Sequence, residues 1–239
     1  MSDNITIHCA DCLDVMADMP EKSVEMAFTD PPYGVSYRGG HFHSGDVSIV
    51  REREALSGDD NTEIYSKSIP ALMRILDGPF YIFCAGVCLR DVLNVLHTSK
   101  AEIHSIIVWN KTNAKYAAMN AQYKERKEMM VYGKPKGSVL RWCGPSTECT
   151  VWDGPRNPEN NYHPTQKPIW LANRAIRNHQ VSSVIDPFMG AGSTMIAAKE
   201  NGIRGIGIEI DPRYCSVAQG RLAQGVMFQP SQTEDLVIV

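Results

Sequence analysis

The stretch Ser182-Ser-Val-Ile-Asp-Pro-Phe-Met-Gly-Ala-Gly-Ser-Thr194 runs from apolar residues through two glycines into residues that favour a helix. An apolar run followed by a glycine-rich turn and a helix is typical of a buried strand in a parallel sheet. Gly190 and Gly192 allow the backbone to approach a ligand closely. The helix that follows offers unpaired N–H groups to a negative group. The stretch therefore predicts a strand-turn-helix unit with a ligand at its turn.

The next apolar run, Ile203–Ile210, contains an acid, Glu209, near its end. A carboxylate in this place suits the two hydroxyls of a ribose. Met195 stands where a dinucleotide fingerprint has its third glycine, and the lysine of a triphosphate-binding loop is missing. A ligand with adenosine but no pyrophosphate, such as S-adenosylmethionine (AdoMet), fits this pattern. A tight strand-to-helix connection without a ligand is the alternative.

Apolar runs alternate with segments of helical period along the chain, which indicates an α/β protein with a largely parallel sheet. Residues 134–162 are rich in Gly, Pro and Asn and predict an irregular stretch, and residues 34–61 predict a long polar loop that acts as a mobile lid. Strands are expected at Ile5–His8, Val24–Thr29, Pro79–Cys84, Ile103–Trp109, Glu128–Tyr132, Ser182–Asp186 and Ile203–Ile210. Helices are expected near Leu13–Met19, Glu63–Leu76, Leu89–Leu96, Pro168–His179 and Arg213–Leu222, and between the glycine turn and Glu200.

The length and composition of the chain limit the class of protein to which it can belong. The 239 residues are 43% hydrophobic, and 24 Lys and Arg against 27 Asp and Glu give a net charge of −3. These values predict one folded domain over residues 1–239 and exclude wholesale disorder. The sequence has no apolar run of about 18 residues and no basic leader before an apolar stretch, so we expect no membrane span, no secretory signal and a cytoplasmic protein.

The cysteines raise the question of a metal. Cys9 and Cys12 have the spacing of half a zinc site, but Cys143 and Cys149, the candidates for the other half, are too far apart in sequence. A disulfide framework is not expected in a cytosolic protein. We therefore expect buried free thiols and no metal.

One segment of the chain is basic, whereas the remainder has a net negative charge. Between Lys111 and Arg141 there are eight basic residues and two acidic ones. Such a segment predicts an anionic partner such as nucleic acid, and a solvated surface is the alternative. Together with the irregular stretch it makes residues 111–162 the candidate target-recognition region. The candidate DNA-binding residues are Lys111, Lys115, Lys124, Arg126, Lys127 and Arg141.

The corner Asp30-Pro31-Pro32-Tyr33 follows the apolar run Val24–Thr29, and so lies at the carboxyl end of a buried strand, where open α/β sheets bind ligands. The prolines stop the strand and fix the Asp30 carboxylate and the Pro31 carbonyl as neighbouring acceptors. Two acceptors and the flat face of Tyr33 suit an exocyclic amine on a stacked base. An amine held in this way loses conjugation with its ring, and its lone pair becomes available to attack. A plain turn is the alternative.

Three stretches taken together resemble the amino-methyltransferases of DNA: Thr29-Asp-Pro-Pro-Tyr33, His163-Pro-Thr-Gln-Lys-Pro168 and Asp186-Pro-Phe-Met-Gly-Ala-Gly-Ser-Thr194. The similarity covers the chain from about Ile5 to Leu222. The catalytic motif precedes the cofactor motif, which resembles the circularly permuted β-type arrangement. The resemblance implies an AdoMet-dependent methyltransferase with a Rossmann-like fold, a mostly parallel seven-stranded sheet and one reversed strand, for which Glu128–Tyr132 is the candidate.

The resemblance also implies roles for individual residues. Asp30 and the Pro31 carbonyl would hold the target amine next to Pro32, and Tyr33 would stack on a flipped base. Glu209 would bind the ribose of AdoMet. The remaining cofactor residues would be Asp11 and Cys12 at the adenine, Thr165 and Lys167 at the carboxylate, and Asp186, Phe188, Gly190, Gly192, Ser193 and Thr194 at the methionine end.

The interpretation we favour is methylation of the 6-amino group of adenine in a short DNA sequence, because Asp at position 30 is typical of the adenine enzymes in the family. The 4-amino group of cytosine is the near alternative, and a non-catalytic DNA-binding homologue is another. Met195 and the Pro31-Pro32 corner disfavour a nicotinamide-dependent oxidoreductase, and the absence of Pro-Cys in the corner excludes carbon methylation. DNA is the expected partner, and whether a second copy of the chain or a cognate restriction endonuclease takes part stays open.

Overall fold

The computed structural model describes residues 4–32, 63–112, 123, 125–156 and 166–224. The described strands are β1 (Ile5–Cys9), β2 (Ala27–Thr29), β3 (Phe80–Cys84), β4 (Ala101–Lys111), β5 (Lys127–Pro135), β6 (Val151–Gly154), β7 (Ser183–Asp186) and β8 (Arg204–Glu209). The described α-helices are α1 (Cys12–Asp18), α2 (Glu63–Ile75), α3 (Leu89–Thr98), α4 (Ile169–Arg177), α5 (Ser193–Glu200) and α6 (Pro212–Ala223), and a short 3-10 helix covers Gly86–Cys88.

The strands form one sheet in the order β1-β8-β7-β2-β3-β5-β4-β6. Strand β5 is antiparallel to both β3 and β4, and the other neighbouring pairs are parallel. The prediction of a mostly parallel sheet with one reversed strand is confirmed, and the reversed strand contains the segment Glu128–Tyr132. Because β2 and β7 are parallel neighbours, the Asp30 corner and the glycine turn lie at the same edge of the sheet.

The described residues form eight strands rather than seven. The additional strand is β6 (Val151–Gly154), which lies in the stretch that the sequence predicted to be irregular. This strand pairs in parallel with the end of β4. Its anchor is Trp152, which is 1% exposed and donates its indole N–H to the Cys149 carbonyl at 3.0 Å. The Arg174 guanidinium lies 4.7 Å from the centroid of the same ring. A four-residue strand held by one aromatic side chain leaves little signal in a composition rich in Gly and Pro.

The core lies on both faces of the sheet, as the alternation of side chains along β3 shows. Phe80 and Ile82 pack with residues of α1, α2 and α3. Tyr81 and Phe83 point to the other face and pack with residues of α4 and α5. Both faces of the central strands are therefore covered, as is usual for a parallel sheet. None of the helices in the described ranges has the length and apolar character needed to cross a bilayer.

The seven cysteines are free thiols, as expected, but the prediction that they are buried is wrong for three of them. Cys12, Cys84, Cys88 and Cys215 are buried, whereas Cys9, Cys143 and Cys149 are exposed. Cys143 and Cys149 lie in the segment between β5 and β6. Their thiols contact backbone carbonyls, of Arg177 at 3.4 Å and of Val151 at 3.1 Å.

Some predicted features lie outside the described residues. The predicted lid, residues 34–61, lies entirely outside them. Of the predicted recognition region 111–162, residues 113–122, 124 and 157–162 lie outside them. Tyr33, Lys115, Lys124 and Thr165 also belong to this group. The predictions for these residues stay predictions.

Candidate active site

A buried carboxylate joins the two motifs at the edge of the sheet. Asp186 ends β7 and accepts hydrogen bonds from the hydroxyls of Thr29, at 2.8 Å, and Thr194, at 2.7 Å. The backbone N–H of Phe188 donates to the same carboxylate at 3.1 Å. Burial raises the pKa of Asp186 to about 6, although these three donors favour its charged form. Asp186 thereby connects the residue before Asp30 with the first turn of α5.

The glycine turn has the backbone conformation that its sequence predicts. Gly190 and Gly192 have φ angles of 52° and 79°, in the left-handed region that favours glycine. A Cβ on Gly192 would also lie only 2.9 Å from the Ala218 Cβ, so the turn packs closely against α6. The N–H of Gly190 donates to the Glu209 carboxylate at 2.9 Å. The turn and the acid at the end of β8 are therefore in direct contact.

Glu209 is fixed by the backbone. Besides the bond from Gly190, its second oxygen accepts from the N–H of Asp211 at 2.9 Å. An ionised carboxylate has about four lone-pair sites, so this side chain keeps capacity for further donors such as ribose hydroxyls. Glu209 therefore lies beside the turn, as the sequence predicts, and its binding of a ribose stays a prediction.

The start of α1 lies next to Glu209. The N–H of Ala10 donates to the Glu209 carbonyl at 3.0 Å, and Asp11 caps the helix by accepting from the N–H of Leu13 at 2.8 Å. Cys12 is buried, and burial raises the pKa of its thiol to about 12, so it stays protonated at neutral pH. The structure thus brings Asp11 and Cys12 to the same sheet edge as the glycine turn, and their predicted role at the adenine stays a prediction.

The Asp30 corner is held from a distant part of the chain. Pro31 is buried and Pro32 is half-buried. The Asp30 carboxylate contacts the ammonium group of Lys167, which lies 4.8 Å from the ring centroid of Phe83. The Ser193 hydroxyl donates to the Lys167 carbonyl at 2.8 Å. The segment that carries Lys167 is therefore bound to the cofactor turn by its backbone and to Asp30 by its side chain.

Lys167 makes contacts in the structure that the sequence interpretation did not include. We expected this lysine at the carboxylate of the cofactor, together with Thr165. In the structure its ammonium lies between two protein carboxylates, Asp30 and Glu128, with 3.0 Å to the Glu128 oxygen. These contacts place Lys167 beside Asp30, and its predicted role at the carboxylate of the cofactor stays a prediction.

Glu128 is a site residue that the sequence interpretation missed. It lies on β5 and pairs with Lys111 at 2.6 Å as well as with Lys167, and the Arg156 guanidinium is 4.0 Å away. Burial raises the pKa of Glu128, but the ammonium groups of Lys167 and Lys111 outweigh that effect and hold it at about 2. The only sequence signal was a charged residue at the first position of an apolar strand. Its partners come from other segments, so no spacing pattern indicates them.

The predicted DNA-binding residues do not form one surface. Lys111 is only 3% exposed and pairs with Glu128, so it is not the exposed lysine that we expected. Arg126 and Lys127 are exposed at the carboxyl edge of the sheet, on the side of the candidate site. Arg141 lies at the opposite edge, as its contacts show.

Arg141 belongs to the amino edge of the parallel strands. Its guanidinium pairs with Asp77, just before β3, at 3.1 Å, and with Glu25, just before β2, at 3.7 Å. Arg141 therefore lies at the edge of the sheet opposite the candidate site, and its predicted contact with DNA stays a prediction. The physical reason for this position is the reversed strand β5, which carries the basic segment from one edge of the sheet to the other.

Comparisons with known proteins agree with this geometry. Residues 24–220 match the sequence profile of the N6/N4 DNA methylase family. The chain is 29% identical over 250 residues to the type II methyltransferase M2.DpnII of Streptococcus pneumoniae, with 91% of this chain and 89% of that protein covered. It is 25% identical over 238 residues to the type II methyltransferase M2.MboI of Moraxella bovis, with 91% and 87% covered.

Solved structures share the fold. The crystal structure of the M1.HpyAVI–SAM complex superimposes with a TM-score of 0.70 at 24% identity, covering 91% of this chain and 99% of that one. The cytosine-N4-specific PvuII DNA methyltransferase superimposes with a TM-score of 0.73 at 16% identity, covering 92% and 86%. The family profile extends from the strand before Asp30 to the helix after Glu209, and so the protein belongs to the N6/N4 DNA methylase family.

Proposed function

We propose that the chain transfers a methyl group from AdoMet to the 6-amino group of adenine in DNA. The observation that carries this proposal is the hydrogen-bonded connection Thr29–Asp186–Thr194. It places the acceptors of the Asp30 corner and the glycine turn at neighbouring strand ends. A site that joins a donor cofactor to an exocyclic amine needs this adjacency, because both reactants must meet across one gap.

The residues at the turn fit AdoMet by their chemistry. Glu209 offers carboxylate oxygens to the ribose hydroxyls, and Asp11 and Cys12 stand beside it for the adenine. Asp186, Phe188, Ser193 and Thr194 with the two glycines surround the place proposed for the methionine end. Bound AdoMet supplies an electrophilic methyl group, because its sulfonium is cationic. The chain itself has only to bind and orient, and needs no strong acid.

The Asp30 corner would act on the target base. The Asp30 carboxylate and the Pro31 carbonyl accept the two hydrogens of the amine and stabilise the positive charge that grows on its nitrogen. Tyr33, by the same proposal, stacks on the ring. A base inside a duplex cannot reach this corner, so the base is flipped out of the helix. Exposed Arg126 and Lys127 at the same edge would contact the phosphate backbone.

Adenine is the first candidate because Asp stands at position 30. The same acceptors also serve the 4-amino group of cytosine, and the similarity of fold to the cytosine-N4-specific PvuII enzyme supports cytosine as the second candidate. Both relatives described above are type II methyltransferases. We therefore extend the proposal to a restriction-modification role in the cytoplasm with a cognate endonuclease, and we leave a homodimer as a further part of it.

The identity of the methylated nucleoside tests the proposal. The purified protein is incubated with AdoMet and DNA from a methylation-free host, and the DNA is digested and analysed by mass spectrometry. We expect N6-methyladenosine in its deoxy form. If methylated cytosine is the only modified nucleoside, the target base is cytosine, the second candidate, and not adenine. AdoMet binding without any methylated nucleoside, on DNA of every sequence, would support a non-catalytic homologue.

A further inference from the structure

We propose that Glu128 is a positioning residue for Asp30 and acts through the ammonium group of Lys167. The inference rests on the proposed function, because it concerns the carboxylate that would hold the target amine. It adds a residue from the reversed strand β5 to a site otherwise built from the ends of parallel strands. No step of the reaction passes through Glu128 itself.

The ammonium of Lys167 is shared by two acids. It contacts the Asp30 carboxylate and lies 3.0 Å from a Glu128 oxygen, and its side chain is 11% exposed. So little exposure leaves the ammonium with few water molecules, and its hydrogen bonds have to come from the protein. The Ser193 hydroxyl holds the Lys167 backbone. The position of the ammonium between Asp30 and Glu128 is then set by the balance of its attraction to the two carboxylates.

This balance controls how well Asp30 can accept hydrogens from a substrate. A lysine has three N–H donors, and a carboxylate has about four lone-pair sites. An ammonium paired with Asp30 alone would occupy more of those sites and weaken the remaining ones electrostatically. Glu128 attracts the same ammonium as an ion pair at 3.0 Å and so limits how much of the Asp30 carboxylate the ammonium occupies. Asp30 thereby keeps acceptor capacity for an exocyclic amine.

Glu128 is fixed from its other side, so it can perform this role. Lys111 is only 3% exposed and pairs with the second carboxylate oxygen at 2.6 Å. The two ammonium groups keep Glu128 ionised at neutral pH, since they hold its pKa at about 2 against the effect of burial. Lys111, Glu128, Lys167 and Asp30 thus form a chain of alternating charges that ends at the catalytic corner.

A purely structural role makes a different prediction. If Glu128 only neutralises buried Lys111, its loss lowers stability and leaves the rate of transfer unchanged. The variant Glu128→Gln alone leaves the buried Lys111 ammonium without this ion-pair partner and is at risk of misfolding. The double variant Glu128→Gln with Lys111→Met removes both charges and isolates the effect on Lys167. Glu102→Gln is the matched control, because it breaks a Glu–Lys pair, with Lys134, at the opposite end of the same two strands.

The test is single-turnover methyl transfer with saturating AdoMet and DNA, together with AdoMet affinity from calorimetry. We expect the double variant to transfer about 10- to 100-fold more slowly, because Lys167 then occupies and weakens the acceptor sites of Asp30, with AdoMet affinity unchanged and the Glu102→Gln control at the wild-type rate. A wild-type rate in the folded double variant, or a loss of AdoMet affinity that accounts for the slower transfer, would overturn the inference.

A second readout does not depend on turnover. The carboxyl carbon of Asp30 is followed by NMR during a pH titration of wild-type protein and of the double variant. Without Glu128 the Lys167 ammonium pairs with Asp30 alone, so we expect the Asp30 pKa to fall. An unchanged titration would refute the role of Glu128. Failure of the wild-type protein to methylate DNA would refute only the proposed function, since this readout still tests the positioning.

Discussion

The Thr29 hydroxyl donates a hydrogen bond to the buried Asp186 carboxylate at 2.8 Å, and these two residues end neighbouring parallel strands. Thr29 is followed directly by Asp30, and Asp186 leads directly into the glycine turn. Because Asp186 also accepts from Thr194, the Asp30 corner and the glycine turn are coupled through one carboxylate. The separation of these two segments is thus set by the pairing of β2 with β7.

The buried Asp186 predicts a pH dependence of stability. Burial raises its pKa from 3.8 to about 6, so folding favours the protonated form. The resulting stabilisation is complete below the unfolded value and is lost as pH rises through the folded one. We expect the unfolding free energy of wild type, relative to Asp186→Asn, to fall by about 2 kcal/mol between about pH 4 and about pH 7. Urea unfolding at intermediate pH values measures this, and parallel curves for the two proteins would contradict it.

The two ends of β5 are predicted to differ in DNA binding. Arg126 is exposed at the carboxyl edge of the sheet, whereas Lys136 is exposed just after β5, at the amino edge. Arg126→Ala should weaken binding and reduce the slope of log affinity against log salt by about 0.9, the value for one phosphate contact. Lys136→Ala should change neither quantity. Fluorescence anisotropy over a salt series checks both variants, and equal effects would show that the surface extends over both edges.

Two glycines predict opposite effects of adding a methyl group. A Cβ on Gly154 would lie 2.3 Å from the Trp170 ring, whereas a Cβ on Gly220 within α6 has no neighbour within 4 Å. Gly154→Ala should destabilise by about 1–3 kcal/mol through overpacking. Gly220→Ala should stabilise by about 0.5–1 kcal/mol, because alanine loses less backbone entropy in a helix. Urea unfolding of the pair tests this, and a neutral Gly154→Ala would mean that Trp170 moves freely.

The features that the sequence predicted correctly are local ones. The helix expected at Glu63–Leu76 is observed at Glu63–Ile75, because its apolar residues follow the helical period. The glycine turn is a contiguous segment whose residue types dictate its backbone conformation, and β2 ends at Thr29, shortly before the two prolines. A reader of the chain can therefore locate both motifs, and the parallel sheet then brings them together.

The features that the sequence did not predict depend on contacts between distant segments. Asp30, Glu128 and Lys167 come from three separate parts of the chain, and only the folded sheet brings their charges together. The charge count along the sequence also grouped the basic residues into one segment. It could not show that β5 runs from one edge of the sheet to the other and so separates them. The burial of Lys111 follows from the same pairing of β4 with β5.

The central claim is that one site holds a methyl donor and an amine, and that the Asp30 carboxylate acts on the amine. Its most direct test is the single-turnover rate of methyl transfer by Asp30→Ala saturated with AdoMet, with saturation established by calorimetry on the same sample. We predict AdoMet affinity within about threefold of wild type and a transfer rate lower by at least about 100-fold, as expected when a charge-stabilising acceptor is removed. Transfer at the wild-type rate by that variant would contradict the account.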